Sequence, residues 1–201
     1  MSAAWAPRTT TTDHAPVGIE QGLAVRAARG DERAFQGIFD RYAPAIHRFL
    51  RDQLGDVASA DEATQETFVR AHKNLSRIRE GAKLQSWLFG IARNVARERR
   101  RARVRDSRNT PITDELALAN QTASPEAALL NQEAGVMLDA ALAALTSERR
   151  AALTLRLDHG LSYPDIAEAL QWNLAKVKNE IHRARLELRA SLRPYLQGST
   201  K

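Results

Sequence analysis

The stretch LSYPDIAEALQWNLAKVKNEIHRARLEL, residues 161–188, decides how the rest of the chain is read. Two short helical patterns meet there at a tight polar turn. Ser162 is a good N-cap, Pro164 falls in the first turn, and Asp165 stands at the capping-box spacing. Ile166, Ala167 and Leu170 give the first helix an apolar edge. Gln171, Trp172 and Asn173 form the turn, and Asn173 can cap the second helix. In that helix Val177, Ile181, Ala184 and Leu188 recur at three- and four-residue steps and share one buried stripe. Lys178, Asn179, His182 and Arg183 lie on the other side, with Lys176 and Arg185 at the flanks. This is a helix-turn-helix pattern. An ordinary helical hairpin with a solvated basic side would read much the same. Two details favour DNA: solvated helices usually mix charge signs at four-residue spacing, whereas Glu180 is the only acid between Leu174 and Leu186. The exposed set also holds Asn and Arg, which can pair in bidentate fashion with adenine and guanine edges.

The chain has 201 residues and a net charge of +6, unevenly distributed: residues 25–105 carry +8, 106–134 carry −4, and 135–201 carry +3. Two basic blocks around an acidic spacer predict two modules that meet a polyanion. Cysteine is absent, and the five histidines (His14, His47, His72, His159, His182) show no pair at metal-ligand spacing. No metal site and no cofactor are therefore expected. No apolar run is long enough for a bilayer and no signal-peptide pattern opens the chain, so the expected location is the cytoplasm, without membrane insertion.

Residues 1–24, rich in Thr, Ala and Pro, read as a flexible tail. Ala34, Phe35, Ile38, Phe39, Tyr42, Ile46, Phe49 and Leu50 then keep helical spacing, and Pro44 is expected to kink or divide that helix near Ala43. A second helix runs from about Ser59 to Leu75, with Thr64, Phe68, Ala71 and Leu75 as its buried edge. Asp61, Glu62, Gln65 and Glu66 form an outward, mostly acidic face near its N-terminal end, where acids suit the helix dipole whatever their function. After a loop over Ser76–Lys83, Leu84, Trp87, Leu88, Ile91, Ala92 and Val95 mark a third helix. It continues into seven arginines between Arg93 and Arg105, opposed only by Glu98. A surface so nearly single-signed repels itself unless it meets anions, and phosphate is the commonest such partner. Residues 106–124 read as a linker. Ser124-Pro125-Glu126 opens a new helix running to about Leu145, Thr146 caps the next, and Gly160 is placed to stop it. Strand-like alternation is absent, so the expected fold is all-α: two helical domains, 25–105 and 125–195, with a terminal tail over 196–201.

Taken together, these segments resemble an RNA polymerase sigma factor of the extracytoplasmic-function (ECF) group of the sigma-70 family. AFQGIFDRYAPAIHRFL is similar to region 2.1, DEATQETFVRAHKNL to region 2.2, and LQSWLFGIARNVARERRR to regions 2.3 and 2.4. LAALTSERRAALTLRLDHGLSYPDIAEAL resembles regions 4.1 and early 4.2, and VKNEIHRARLELR the end of 4.2.

The resemblance implies an alternative sigma factor that binds core polymerase and directs promoter-specific initiation. It implies docking of Asp61, Glu62, Gln65 and Glu66 on the β′ coiled coil, and a contact of the second module with the β flap. It implies −10 DNA binding and melting through Lys83, Trp87, Asn94, Arg97 and Arg101, and −35 reading through Lys176, Lys178, Asn179, His182 and Arg183. An anti-sigma protein is a further possible partner. The chain departs from the family at Gln171 and Ala175, where Gly or a near equivalent is usual, at Trp172, which replaces a smaller aliphatic, and at Leu84, where an aromatic is common. Two other readings compete. A conventional helix-turn-helix regulator binding an operator without polymerase leaves the first module unexplained. A DNA enzyme needs a nucleophile or metal cluster, and Tyr42, Tyr163 and Tyr195 stand in no recognisable arginine-histidine constellation.

Overall fold

The computed structural model describes residues 17–78, 83–107, 137–138 and 140–198, and the secondary structure among them is helical throughout. Helices α1 (Val17–Ala28), α2 (Glu32–Leu54), α3 (Val57–Asn74) and α4 (Leu84–Ser107) build the first module. A helical segment at 140–144, then α5 (Ser147–Leu157), α6 (Tyr163–Leu170) and α7 (Leu174–Gly198), build the second.

Local chemistry sets the boundaries. Gly30 turns the chain out of α1 with φ of +89°, and the Asp31 side chain accepts from Ala34 N to start α2. Gly55, at φ of 87°, ends α2 and donates its N–H to the Arg51 carbonyl at 2.8 Å. The next residue, Asp56, caps α3 by accepting from Ser59 N at 2.7 Å. A left-handed glycine followed at once by an N-cap makes the α2–α3 corner tight. Gly160, at φ of +66°, performs the same turn between α5 and α6.

Ile38, Ile46, Phe49 and Leu50 of α2, Ala63 and Phe68 of α3, and Leu88, Phe89 and Val95 of α4 form the first core. The hydroxyls of Thr64 and Thr67 face it and donate to Ala60 O and Ala63 O, each at 2.7 Å, so neither donor is stranded on that side of α3. The second core gathers Leu153, Leu155, Ile166, Leu170, Val177, Ile181 and Ala184.

The two cores are continuous. Helix α6 lies against α4 at Gly90, where an added Cβ would stand 3.3 Å from the Ala169 carbonyl oxygen. His159 inserts between Phe89 and Phe49, with ring centroids 4.7 and 6.3 Å away. Arg150 reaches across the seam: its Nη1 donates to Asp52 O at 3.1 Å, near the end of α2, while its other donors take the carbonyls of Leu142, Ala143 and Leu145. Lys83 closes the far end, 2.8 Å from Asp165.

Several boundaries differ from those read in the sequence. Helix α1 begins at Val17, so residues 17–24 are not tail, and Ala24 is buried. Pro44 does not divide α2. Helix α3 starts two residues before Ser59 because Asp56 supplies the cap. Helix α4 takes in Asp106 and Ser107, and α7 continues through Gly198, which shortens the linker and the terminal tail from those sides. The remaining linker, the start at Ser124, the first 16 residues and positions 79–82 of the Ser76–Lys83 loop lie outside the described residues.

His159 gives the seam a pH dependence. Burial, with the Arg48 charge second, pushes the imidazole down from 6.5 to about 4. An opened or unfolded chain takes up a proton below about pH 6.5 that the closed form refuses until about pH 4, so stability is full above 6.5 and falls as pH drops through that window. The loss amounts to about 2 kcal/mol by pH 5. We expect His159→Phe to remove this component of the slope between pH 8 and 5 in denaturant titrations, while costing little at pH 8 because the buried Nε2 has no partner to lose.

Candidate nucleic-acid and polymerase interfaces

The recognition element is built as its sequence dictates. Ser162 and Asp165 form a full capping box at the start of α6. The helix stops at Gln171, which adopts φ of 53° and ψ of 44°, and Asn173 Oδ1 accepts from Lys176 N at 2.7 Å to begin α7. Gln171 occupies a left-handed conformation that costs a side-chain-bearing residue roughly 1–2 kcal/mol. This is why glycine suits the position, and here the backbone geometry is kept at the expense of strain. Trp172 is half-buried beneath the turn, with Lys176 Nζ 4.2 Å and the Arg93 guanidinium 5.8 Å from its ring centre.

Val177, Ile181 and Ala184 are buried, and Lys178, Asn179, His182 and Arg183 are exposed together on the other side of α7. Glu180 touches that surface only at Arg183, 4.0 Å away. Its carboxylate is 3.0 Å from Arg149 of α5 and only 16% exposed, so the single acid of this helix half is turned inward and neutralised. Arg149 also holds Glu187, fixing the rotation of α7 against α5. Lys176 stands apart from the other four: besides its place over Trp172, its ammonium is 3.0 Å from Glu148.

On α4 the arginines divide between two faces. Arg99 pairs with Glu62 at 2.7 Å and Arg103 with Asp56 at 3.0 Å, both against α3. Arg70 of α3 reaches back, grips both oxygens of Glu98 at 3.0 and 2.7 Å, and also takes Glu66 at 2.7 Å. The Arg70 hydrogen bonds hold the Glu98 carboxyl below its usual range. Arg93, Arg97, Arg100, Arg101 and Arg105 fall on the other side and line an open cleft. Of the five residues expected at the −10 element, Asn94, Arg97 and Arg101 follow three- and four-residue steps and are all exposed or half-exposed. Trp87 is half-buried against the core, and Lys83 is tied to Asp165.

The acidic face of α3 points outward as read, but its charges are partly engaged within the module. Asp61 lies 2.9 Å from His47 Nε2, and Glu62 and Glu66 hold Arg99 and Arg70. Gln65 is exposed. Sequence spacing cannot show that these acids and the arginine run neutralise each other across two helices. Nor does the resemblance single out Arg93, Arg100 and Arg105 from the run, although their helical spacing places them with Arg97 and Arg101.

Among the described residues no group of three or more His, Asp or Glu side chains could hold a metal ion, and no helix is long and apolar enough to cross a membrane. Comparison with known proteins agrees with this layout. Sigma-70 region 2 matches residues 38–106 and sigma-70 region 4 matches residues 135–188. The chain is 32% identical to the RNA polymerase sigma-H factor of Pseudomonas aeruginosa over 185 residues, covering 89% of this chain and 96% of that one. It is 30% identical to the ECF RNA polymerase sigma factor SigW of Bacillus subtilis, over 82% of this chain and 92% of the relative. Among solved structures it resembles CnrH in complex with the cytosolic domain of CnrY, at a TM-score of 0.66 and 25% identity over 88% of this chain and 98% of that one. It also resembles the sigma factor RpoE in complex with the anti-sigma factor NepR from Bartonella quintana, at 0.62 and 26% over 79% and 96%. With both sigma regions in order on two helical modules, the chain belongs to the RNA polymerase sigma factors, in the ECF group of the sigma-70 family.

Proposed function

We propose that this sigma factor docks on core RNA polymerase through the exposed face of α3, reads the −35 element with α7, and opens the −10 element with α4. The observation that carries the reading is the separation of roles on one scaffold: a single-signed, outward recognition face on α7 and a second basic face on α4 turned away from the acids of α3. The protein performs no bond-making chemistry in this scheme, and polymerase supplies the active site. Asp61, Glu62, Gln65 and Glu66 face the basic β′ coiled coil, where complementary charge sets orientation and on-rate. The second module reaches the β flap.

Asn179 and Arg183, four residues apart, enter one major-groove passage with Lys178 and His182, and Arg189 and Arg185 lie nearer phosphate. Asn94, Arg97 and Arg101 follow the non-template strand, and Trp87 offers a ring edge beside the melted bases. Lys83 becomes available to DNA when it leaves Asp165. Each module alone binds weakly, and polymerase supplies avidity by holding both at promoter spacing. An anti-sigma factor, such as the solved relative RpoE is bound to, is a partner consistent with this fold. The cytoplasm is the compartment where polymerase and promoter meet.

Gln65→Arg tests docking without breaking an internal ion pair. It should weaken co-elution with core polymerase about tenfold or more, because a cation then faces a basic surface, and should leave the melting temperature unchanged. Undiminished co-elution at moderate salt would remove α3 from the interface. Run-off transcription by reconstituted holoenzyme over single-base −35 variants tests the reading of α7. Arg183→Ala should cost about 1–3 kcal/mol at the preferred promoter and relax preference at one base pair. Lys176→Ala, at a position held by Glu148 and Trp172, should leave the preference profile unchanged in shape and lower all promoters together. A profile altered by Lys176→Ala but not by Arg183→Ala would mean that α7 presents a different edge to the groove.

A further inference from the structure

The cleft beside α4 is walled by both modules. Arg93, Arg97, Arg100, Arg101 and Arg105 line it from α4, Gln53 comes from α2, and Ser147, Glu148 and Ala151 come from the first turns of α5; its volume is about 480 Å³. Five guanidinium groups thus face one carboxylate, and that carboxylate is already shared with Lys176 at 3.0 Å. The paired face of the same helix, where Arg99 and Arg103 meet Glu62 and Asp56, shows what neutralisation looks like in this protein. Among the described residues the cleft face has no equivalent.

Gln53 supplies an independent observation. It is only 5% exposed, and its Oε1 accepts from Arg100 at 3.3 Å. That contact fixes which end of the amide is oxygen and leaves the Nε2 donor buried without a partner. An orphaned buried donor among unneutralised guanidiniums calls for an acceptor-rich anion. Burial first, then the charges of Arg150, Arg93 and Arg97, lower the Arg100 guanidinium from its ordinary value, and Glu148 opposes them only in part. The first turn of α5, capped by Thr146, adds the positive end of a helix dipole on the opposite wall.

We propose that this inter-module cleft is a binding site for a compact oligophosphate, held by Arg97, Arg100, Arg105 and the Gln53 amide, and that its occupancy fastens the second module against α4. The proposal rests on the sigma-factor reading in one respect: Arg97 is then shared between the small anion and the −10 strand, so the anion competes with promoter opening. The cleft exists only when the modules are together, because Ser147 and Glu148 form one wall. An oligophosphate bound there therefore stabilises the closed arrangement by mass action. The phosphate chain could be inorganic or the tail of a nucleotide. The recognition chemistry is common to both.

The test uses the full chain free of polymerase, titrated calorimetrically with inorganic tripolyphosphate and, separately, with ATP, both without magnesium. One saturable site is expected. Ser147→Glu puts a carboxylate on the second-module wall at a helix position that favours acids, so the fold is retained, and should weaken tripolyphosphate about tenfold or more through like-charge contact. Glu148→Gln, which removes the opposing carboxylate and releases Lys176, should tighten it. Equal affinity for the two ligands assigns the site to the phosphate chain, and tighter ATP assigns it to a nucleotide. Absence of saturable binding, or binding weakened by Arg97→Gln yet indifferent to both Ser147→Glu and Glu148→Gln, overturns the proposal, the latter because the anion would then sit on the open α4 face. Run-off transcription without added oligophosphate checks the sigma-factor reading separately, so either can fail alone.

Discussion

Everything in this molecule is arranged around α4, which must be buried on two sides and remain basic on a third. One side packs Leu88 and Val95 into the first core, and another admits α6 so closely at Gly90 that a methyl group would press on the Ala169 carbonyl. An α-helix offers about 100° of surface to each neighbour before its faces overlap. That geometry forces the arginines of α4 into what is left, the edge facing α3 and the edge bordering the cleft. The edge facing α3 is the one with acids within reach: Glu62 and Asp56 take Arg99 and Arg103, while Glu66 and the helix's own Glu98 hold Arg70 of α3. Charge segregation on α4 is thus a consequence of packing, and the unneutralised face is whatever the acids of α3 cannot reach.

The same logic places the recognition helix. Helix α7 buries a narrow stripe of Val177, Ile181 and Ala184, and the rotation about that stripe is fixed by Arg149, which holds Glu180 and Glu187 two turns apart. The Arg149–Glu180 pair is largely shielded from water, so it is worth more than a surface pair. Its effect on the outer face is larger than its effect on stability. With one Glu180 oxygen drawn to Arg149, the acid meets the side carrying Lys178, Asn179, His182 and Arg183 only at its edge, 4.0 Å from Arg183.

Much of this is legible in the sequence. The capping box at Ser162, the N-caps at Asn173 and Thr146, and the buried edge Thr64–Phe68–Ala71–Leu75 are local patterns, decided by residues within one or two turns. What sequence spacing misses is non-local or hidden by a second role. Phe89 lies at the edge of the α4 stripe and carries no amphipathic signal of its own; it is buried between Phe49 of the first module and His159 of the second. The cap at Asp56 is masked by the acidic face of Asp61, Glu62 and Glu66 just beyond it, which draws the helix start toward Ser59. The fate of the acids on α3 and the arginines on α4 depends on two helices meeting, which no single amphipathic pattern records. Lys83 reads as a loop cation free for DNA, yet its partner Asp165 is 82 positions away.

The seam between the modules is closed by aromatic packing, yet polar imperfections run through it. His159 buries a ring nitrogen without a partner, and Gln53, at the edge of the same seam, buries an amide donor without one. Unmet groups of this kind each cost about 1–3 kcal/mol relative to a satisfied interior. Arg150 works the other way, tying the Asp52 carbonyl of the first module to three carbonyls of the second through one guanidinium. A seam that gains from Phe49, Phe89 and Arg150 and loses at His159 and Gln53 sits nearer balance than a core of equal area would. A seam packed as well as the interior of α2 and α3 would hold Lys83 and the cleft side of α4 more firmly against the helix-turn-helix than this one does.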